Sequence, residues 1–246
     1  MKRLFRYSGN KSKLLGLYRP VPKGVTRVVE PYLGSGAFML NSHLPGVGYE
    51  INAHLCAMWK WLQQTSANEL YELDALVREW KSKTEKPDVK DMNLDLGPQT
   101  YVRVNCCSVV VGQLSSWKIY PQNNLPVEET VKCIPRLKDI EIFNARGETH
   151  VVQDGDLLFV DPPYVGTVGN YLEKGKQTKQ IEKEYDPQDT IKFLEGVRCP
   201  VIFTYGSNAK ELFPQYEWEI VKVVKVPNMR KGGTVDRNEM VAYINF

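Results

Sequence analysis

The stretch from Thr26 to Ile51 constrains what this chain can fold into more than any other. Thr26-Arg27-Val28-Val29-Glu30 reads as a short strand. Leu33-Gly34-Ser35-Gly36-Ala37-Phe38-Met39-Leu40 follows as a glycine turn opening a helix, and Gly46-Val47-Gly48-Tyr49-Glu50-Ile51 reads as a second strand that stops at an acid. A strand, a glycine-rich turn, a helix and a strand make a βαβ unit, the building block of an α/β sheet. The apolar run Leu157-Leu158-Phe159-Val160 is expected to be a buried strand beginning at Asp156. Further strands are expected at Ile140 to Phe143, Pro200 to Thr204 and Met240 to Phe246.

Between these signals the pattern changes. Lys13-Leu14-Leu15 is expected to lie in a helix ending by Pro20, and Asn52 to about Trp80 reads as helical, with apolar residues at Leu55, Met58, Trp59, Leu62, Leu70, Leu73 and Leu76. Residues 81–100 turn polar, and 101–140 hold Tyr, Trp, Lys and Arg without clear periodicity. The expectation is one split α/β domain, 1–54 and 139–246, carrying an insertion at 55–138, which 246 residues accommodate. Residues 165–188, with three glycines and many charges, read as a mobile loop.

Composition excludes some classes. Nothing approaches 18 consecutive apolar residues, so no membrane span is expected, and the basic N-terminus lacks the apolar region of a secretory signal. Five cysteines without Cys-x-x-Cys spacing point to reduced thiols in a cytoplasm, not to a metal site or disulfide framework. A net charge of +3 is compatible with a polyanionic partner without requiring one.

Chemistry concentrates after the buried strand, in Asp161-Pro162-Pro163-Tyr164. The carboxylate of Asp161 and the carbonyl of Pro162 can each accept one N–H of an exocyclic amine, and Tyr164 can stack on the ring that carries it. Two consecutive prolines remove two donors and leave acceptors. A plain Pro-Pro turn is the alternative. At Gly34-x-Gly36 the backbone can approach a ligand, and the helix that opens there favours a negative group. Met39 stands where a dinucleotide fingerprint would have its third glycine, so a zwitterionic methionine tail suits this turn as well as a pyrophosphate. Glu50 sits where nucleotide-type folds hydrogen-bond ribose hydroxyls, although it also reads as a surface acid. Tyr7-Ser8-Gly9-Asn10-Lys11 offers a ring for an adenine and a cation for a carboxylate.

In this order the pieces resemble the Dam-type DNA adenine-N6 methyltransferases of bacteria and bacteriophages. The resemblance rests on Tyr7 to Lys11 with Leu14 and Leu15, Val29-Glu30-Pro31-Tyr32-Leu33-Gly34-Ser35-Gly36, Glu50-Ile51-Asn52, and Asp154-Gly155-Asp156 running into Asp161 to Tyr164. Gly206-Ser207-Asn208 and Gly232-Gly233-Thr234 with Glu239 look like its C-terminal elements. It covers residues 5–60 and 140–246. It implies a Rossmann-like fold with a mostly parallel seven-stranded sheet, a helical target-recognition insertion, and S-adenosyl-L-methionine as cofactor. The catalytic residues it implies are Asp161, Pro162, Pro163 and Tyr164. The cofactor residues are Tyr7, Gly9, Asn10, Lys11, Glu30, Leu33, Gly34, Ser35, Gly36, Ala37, Phe38, Glu50, Ile51, Asn52, Phe143, Asn144 and Asp161. The chain departs from the family in the insertion, where its Asn-Gly-Leu-x-Arg-type hairpin is not visible, and at Glu50, where many members have Asp.

The implied partner is double-stranded DNA, with a restriction endonuclease as a candidate companion and a monomer or weak dimer in a bacterial or phage-infected cytoplasm. Arg103, Lys118, Arg136 and Lys138, with Trp117 and Tyr120, are candidate contacts in the insertion, as are Arg230 and Lys231 in a late loop. An RNA adenine methyltransferase, a nicotinamide-dependent oxidoreductase and a cofactor-binding regulator without activity are the competing readings.

Overall fold

The computed structural model describes residues 4–5, 9–83, 88–107, 117–164, 185–227 and 234–246. Among them, seven strands form one sheet: β1 (Arg27–Glu30), β2 (Gly46–Tyr49), β3 (Ile140–Phe143), β4 (Asp156–Val160), β5 (Val201–Tyr205), β6 (Glu219–Pro227) and β7 (Thr234–Ile244). Their spatial order is β3-β2-β1-β4-β5-β7-β6. The first five are parallel, and β7 runs antiparallel between β5 and β6. The chain leaves β1 toward β2 and β3, then crosses to the other side of β1 to lay down β4. That reversal makes the carboxyl ends of β1 and β4 the topological switch point, where a doubly wound sheet opens a crevice for ligands.

Two cores clamp the sheet. Val28, Leu157 and Phe159 face one way and pack with Trp59, Leu62, Tyr101, Cys133 and Leu137. Val29, Leu158 and Val160 face the other way, against Phe203, Tyr205, Phe213 and Trp218. Successive residues of β1 and β4 thus feed opposite cores, as the two-residue strand period demands.

Helix α1 (Ala37–Asn41) joins β1 to β2, and α2 (Ala53–Gln64), α3 (Ala67–Lys83), α4 (Leu96–Cys106) and α5 (Val127–Leu137) lie between β2 and β3. The expected single helical stretch from Asn52 to Trp80 is two helices. Ser66 and Glu69 divide it with a capping box: the Ser66 N–H donates to the Glu69 carboxylate at 2.6 Å and the Glu69 N–H donates to Ser66 Oγ at 3.2 Å. Helix α4 left no periodic signal because Thr100 to Cys106 are all buried, so it has no polar stripe to contrast with an apolar one.

Elsewhere one expectation is corrected, one strand was not foreseen, and one expected loop falls mostly outside the described residues. Instead of a helix through Lys13 to Leu15 there is a single 3-10 turn, Leu15–Leu17. Asn10 Oδ1 accepts the Ser12 N–H at 2.8 Å, and adjacent Lys11 and Ser12 both turn inward, which one face of a helix does not allow. Strand β6 was not expected, because Lys222 and Lys225 interrupt its apolar run, as charges on an edge strand do. Pairing with it extends β7 back to Thr234. Of the supposed mobile loop, 165–184 lie outside the described residues, and its last two residues begin α6 (Pro187–Glu195), capped by Asp186. A short helix α7 (Ala209–Leu212) follows β5.

Candidate functional site

Everything at the switch point hangs on two buried acids. Glu30, the last residue of β1, accepts the Met39 N–H at 2.6 Å and thereby caps the start of α1 with the protein's own carboxylate. Glu30 thus takes one of the N–H groups at the helix start that the sequence offered to a ligand's negative group. Gly36, at φ 57°, makes the left-handed turn that lets the chain double back into α1, and a side chain there would also meet the Trp59 ring. Trp59 fixes the same turn by donating its indole N–H to the Gly34 carbonyl at 3.1 Å.

Glu50, just past β2, clamps the turn from the other side. Its carboxylate accepts N–H groups from Gly34 at 3.2 Å and from Asn52 at 2.8 Å. Asn52 in turn caps α2, and Asn144 donates to the Glu50 carbonyl at 2.7 Å. Burial outweighs these N–H bonds at both acids, pushing Glu30 up to about 8 and Glu50 up to about 7. An acid whose folded pKa is raised stabilises fully below its ordinary range and loses that contribution as pH rises through the folded value. The unliganded protein is thus expected to lose thermal stability between about pH 5 and pH 9, by a few kcal/mol. Glu30→Gln keeps an acceptor for Met39 and should flatten that slope, matching wild type near pH 5 and exceeding it near pH 9. Identical melting-temperature profiles for the two proteins would contradict the assignment.

At the end of β4, Asp161 meets the N-terminal segment. Lys11 is 3% exposed; its Nζ donates to Asp161 Oδ2 at 2.9 Å and to the Gly9 carbonyl at 3.0 Å, and lies 3.8 Å from Glu239 Oε2 on β7. Thr204 on β5 donates to Asp161 Oδ1 at 2.9 Å. The Tyr164 hydroxyl donates to Glu239 at 3.2 Å, and its ring lies under the Lys11 ammonium, 5.1 Å from centroid to nitrogen, beside Tyr205 and Gly206. The Tyr18 hydroxyl is buried in the field of Asp161 and Glu239, with no hydrogen-bond partner among the described residues.

A cavity of about 190 Å³ joins the two halves. Gly9, Lys11, Glu30, Leu33, Gly34, Ser35, Ala37, Glu50, Ile51, Asn52, Asp161, Pro162 and Pro163, all singled out from sequence, line it. Gly36 and Phe38 do not; Phe38 stacks on Phe159 at 4.7 Å. Asn10, Phe143 and Asn144 are likewise off the lining: Asn10 shapes the turn before Lys11, Phe143 stacks on Tyr49 at 5.4 Å, and Asn144 braces Glu50. Tyr7, Arg230 and Lys231 lie outside the described residues.

Several residues of the site escaped sequence reading. Tyr32, Arg146, Gly147, Glu148 and Tyr185 also line the cavity. Tyr32 donates to Glu148 at 2.7 Å and shares a 2.6 Å hydrogen bond with Thr190, while Arg146 pairs with Asp189 at 2.7 Å. Thr204 and Glu239 are held against Asp161 and Lys11 only because β5 and β7 pair beside β4. Tyr32 and Glu239 stand within motifs quoted from the sequence without a role at the site, and no local motif announces Arg146, Gly147, Glu148, Tyr185 or Thr204.

The basic candidates separate by burial. Lys118 and Tyr120 are exposed, and Trp117 is half-buried. Arg103, at 2% exposed, stacks on Trp117 at 3.7 Å, and is not a surface contact. Arg136 is also corrected: 7% exposed, it donates from Nε and Nη2 to the Met39 carbonyl and from Nη2 to that of Leu44, tying α5 to the end of α1. Lys138 is exposed but precedes β3, at the amino ends of the parallel strands and opposite the site. Arg136→Met should lower stability by about 2–3 kcal/mol, since the buried Met39 carbonyl and the partly buried Leu44 carbonyl lose a charged donor. A thermal melt checks this, and an unchanged melting temperature would refute the structural role.

No protein-family model matches the chain, and no curated protein matches it either. Among the described residues no helix is long and apolar enough to cross a membrane.

Proposed function

We propose that this protein is an S-adenosylmethionine-dependent methyltransferase acting on N6 of an adenine flipped out of duplex DNA. One observation carries the reading: Gly9 and Lys11, the Leu33–Ser35 turn, Glu50 to Asn52, and Asp161 to Pro163, far apart in sequence, line one cavity at the switch point of the sheet. The donor set suits the cofactor. Glu50 offers carboxylate oxygens for a ribose diol, Ile51 and Leu55 offer apolar contact, and Glu30 with Gly34 and Ser35 forms the turn beside a zwitterionic tail. When bound, the cofactor supplies a methyl group activated on a sulfonium.

The chain's own residues then act on the acceptor. The adenine N6 lone pair is delocalised into the ring, so the nitrogen is a poor nucleophile. Asp161 and the Pro162 carbonyl each accept one N6–H, which draws the nitrogen toward tetrahedral geometry and frees its lone pair. Positive charge that develops on the nitrogen is met by acceptors already in place. Thr204 orients the Asp161 carboxylate through Oδ1, and in the unliganded protein Lys11 pairs with Oδ2. Holding the reactants in line contributes up to about 7–11 kcal/mol. Base extrusion costs a few kcal/mol, of which stacking on Tyr164 returns about 1–3 kcal/mol.

The test is transfer of a labelled methyl group from S-adenosylmethionine to mixed-sequence duplex DNA and, in parallel, to RNA. N6-methyladenine in the DNA is the expected product. Label in RNA alone, or in neither, would overturn the reading.

A further inference from the structure

Lys11 makes, from within the protein, the contacts that the proposed reaction reserves for the target amine. Its ammonium donates to Asp161 Oδ2 at 2.9 Å and lies on the Tyr164 ring, 5.1 Å from the centroid. A base whose amine must reach Asp161 and whose ring must stack on Tyr164 competes for both. A second carboxylate, Glu239, waits on β7, two strands from β4, at 3.8 Å from the same nitrogen, beyond hydrogen-bonding distance in this state. It is already oriented by the Tyr164 hydroxyl at 3.2 Å.

We propose that Lys11 is a built-in occupant of the target-amine position and that Glu239 is a positioning residue, the acceptor to which Lys11 moves when the base enters. This rests on the methyltransferase reading above and names how the same site is gated. Charge counting gives the physical reason. Asp161 and Glu239 supply two negative charges, and Lys11 one positive charge. When charge develops on the target nitrogen, the cluster becomes neutral if Glu239 is present and positive if it is not. A cation left 2.9 Å from Asp161 would also oppose the charge growing on the amine. Pairing Lys11 with Glu239 instead draws the ammonium off Asp161 and weakens that opposition while keeping the cation paired in a site it cannot leave cheaply.

Glu239→Gln tests this, because the amide retains an oxygen for the Tyr164 hydroxyl and loses only the charge. Single-turnover methyl transfer to the duplex that wild type methylates best, at saturating S-adenosylmethionine, should slow at least tenfold in E239Q, while cofactor affinity, read by thermal shift, stays within about threefold. The decisive comparison is the double variant K11M/E239Q, which should be no slower than K11M alone: without Lys11 nothing needs relocating. A readout free of turnover accompanies it. The ¹⁵N resonance of the Lys11 ammonium, assigned by its loss in K11M, should shift when wild type binds that duplex with S-adenosylhomocysteine, and should not shift in E239Q. If E239Q slows the K11M background as much as it slows wild type, or if the Lys11 resonance is indifferent to the duplex, the displacement is wrong. Wild type that transfers no methyl group to any duplex would instead defeat the methyltransferase reading, and this proposal with it.

Discussion

Asp161→Ala is expected to abolish methyl transfer, by at least about 10³-fold, with cofactor affinity held within about tenfold. The carboxylate sits at the end of β4 with one oxygen on Lys11 and the other on Thr204, so it is oriented before any substrate arrives. Alanine removes both the acceptor for the amine and the counter-charge of a buried ammonium. The variant should therefore also lose stability, because a buried cation loses its nearest partner. Asp161→Asn separates the two effects: it keeps one acceptor oxygen and the packing, and should still lose most of the rate for want of charge. Single-turnover rates and thermal melts on both variants check this. Normal turnover by either would rule out Asp161 as the group that grips the amine.

Gly147→Ala should be nearly as damaging, for a steric reason alone. A Cβ on Gly147 would lie 1.9 Å from the Pro31 carbonyl oxygen and 2.4 Å from its carbon. Pro31 follows β1 directly and lines the cavity with Gly147, so the clash is backbone against backbone and no side chain can swing aside. The expected result is a stability loss of about 3 kcal/mol or more and cofactor binding weakened at least tenfold as the wall moves. Gly196→Ala is the matched control: its Cβ would meet nothing within 4 Å, and it should be nearly neutral. Equal melting temperatures for the two variants would refute the close approach.

Sequence patterns located the parallel strands well because each is a short apolar run bounded by turn residues. Ile140 to Phe143 and Asp156 to Val160 agree with the structure residue for residue, and β1, β2 and β5 agree within one or two positions at each end. The helical region was less legible. A helix buried all round, such as α4, has no periodic contrast, and the break between α2 and α3 rests on side-chain caps. Strand β6 depends on its partner β7, and pairing across the chain leaves little trace in either segment.

The same division holds at the site. Residues that terminate a strand, such as Glu30, Glu50 and Asp161, stood out because a strand end delivers its side chain to the sheet's edge whatever the rest of the chain does. Local order alone placed these acids, the glycine turn and the Pro-Pro loop. Only tertiary structure decided what each acid touches. Glu30 turned inward to cap α1, Arg103 and Arg136 went to the interior, and Gly147 closed on Pro31. Thr204 and Glu239 joined Lys11 and Asp161 because β5 and β7 lie next in the sheet. Local propensity acts over a few neighbouring residues, whereas these contacts link strands and loops from opposite ends of the chain, so they exist only once the whole sheet has formed.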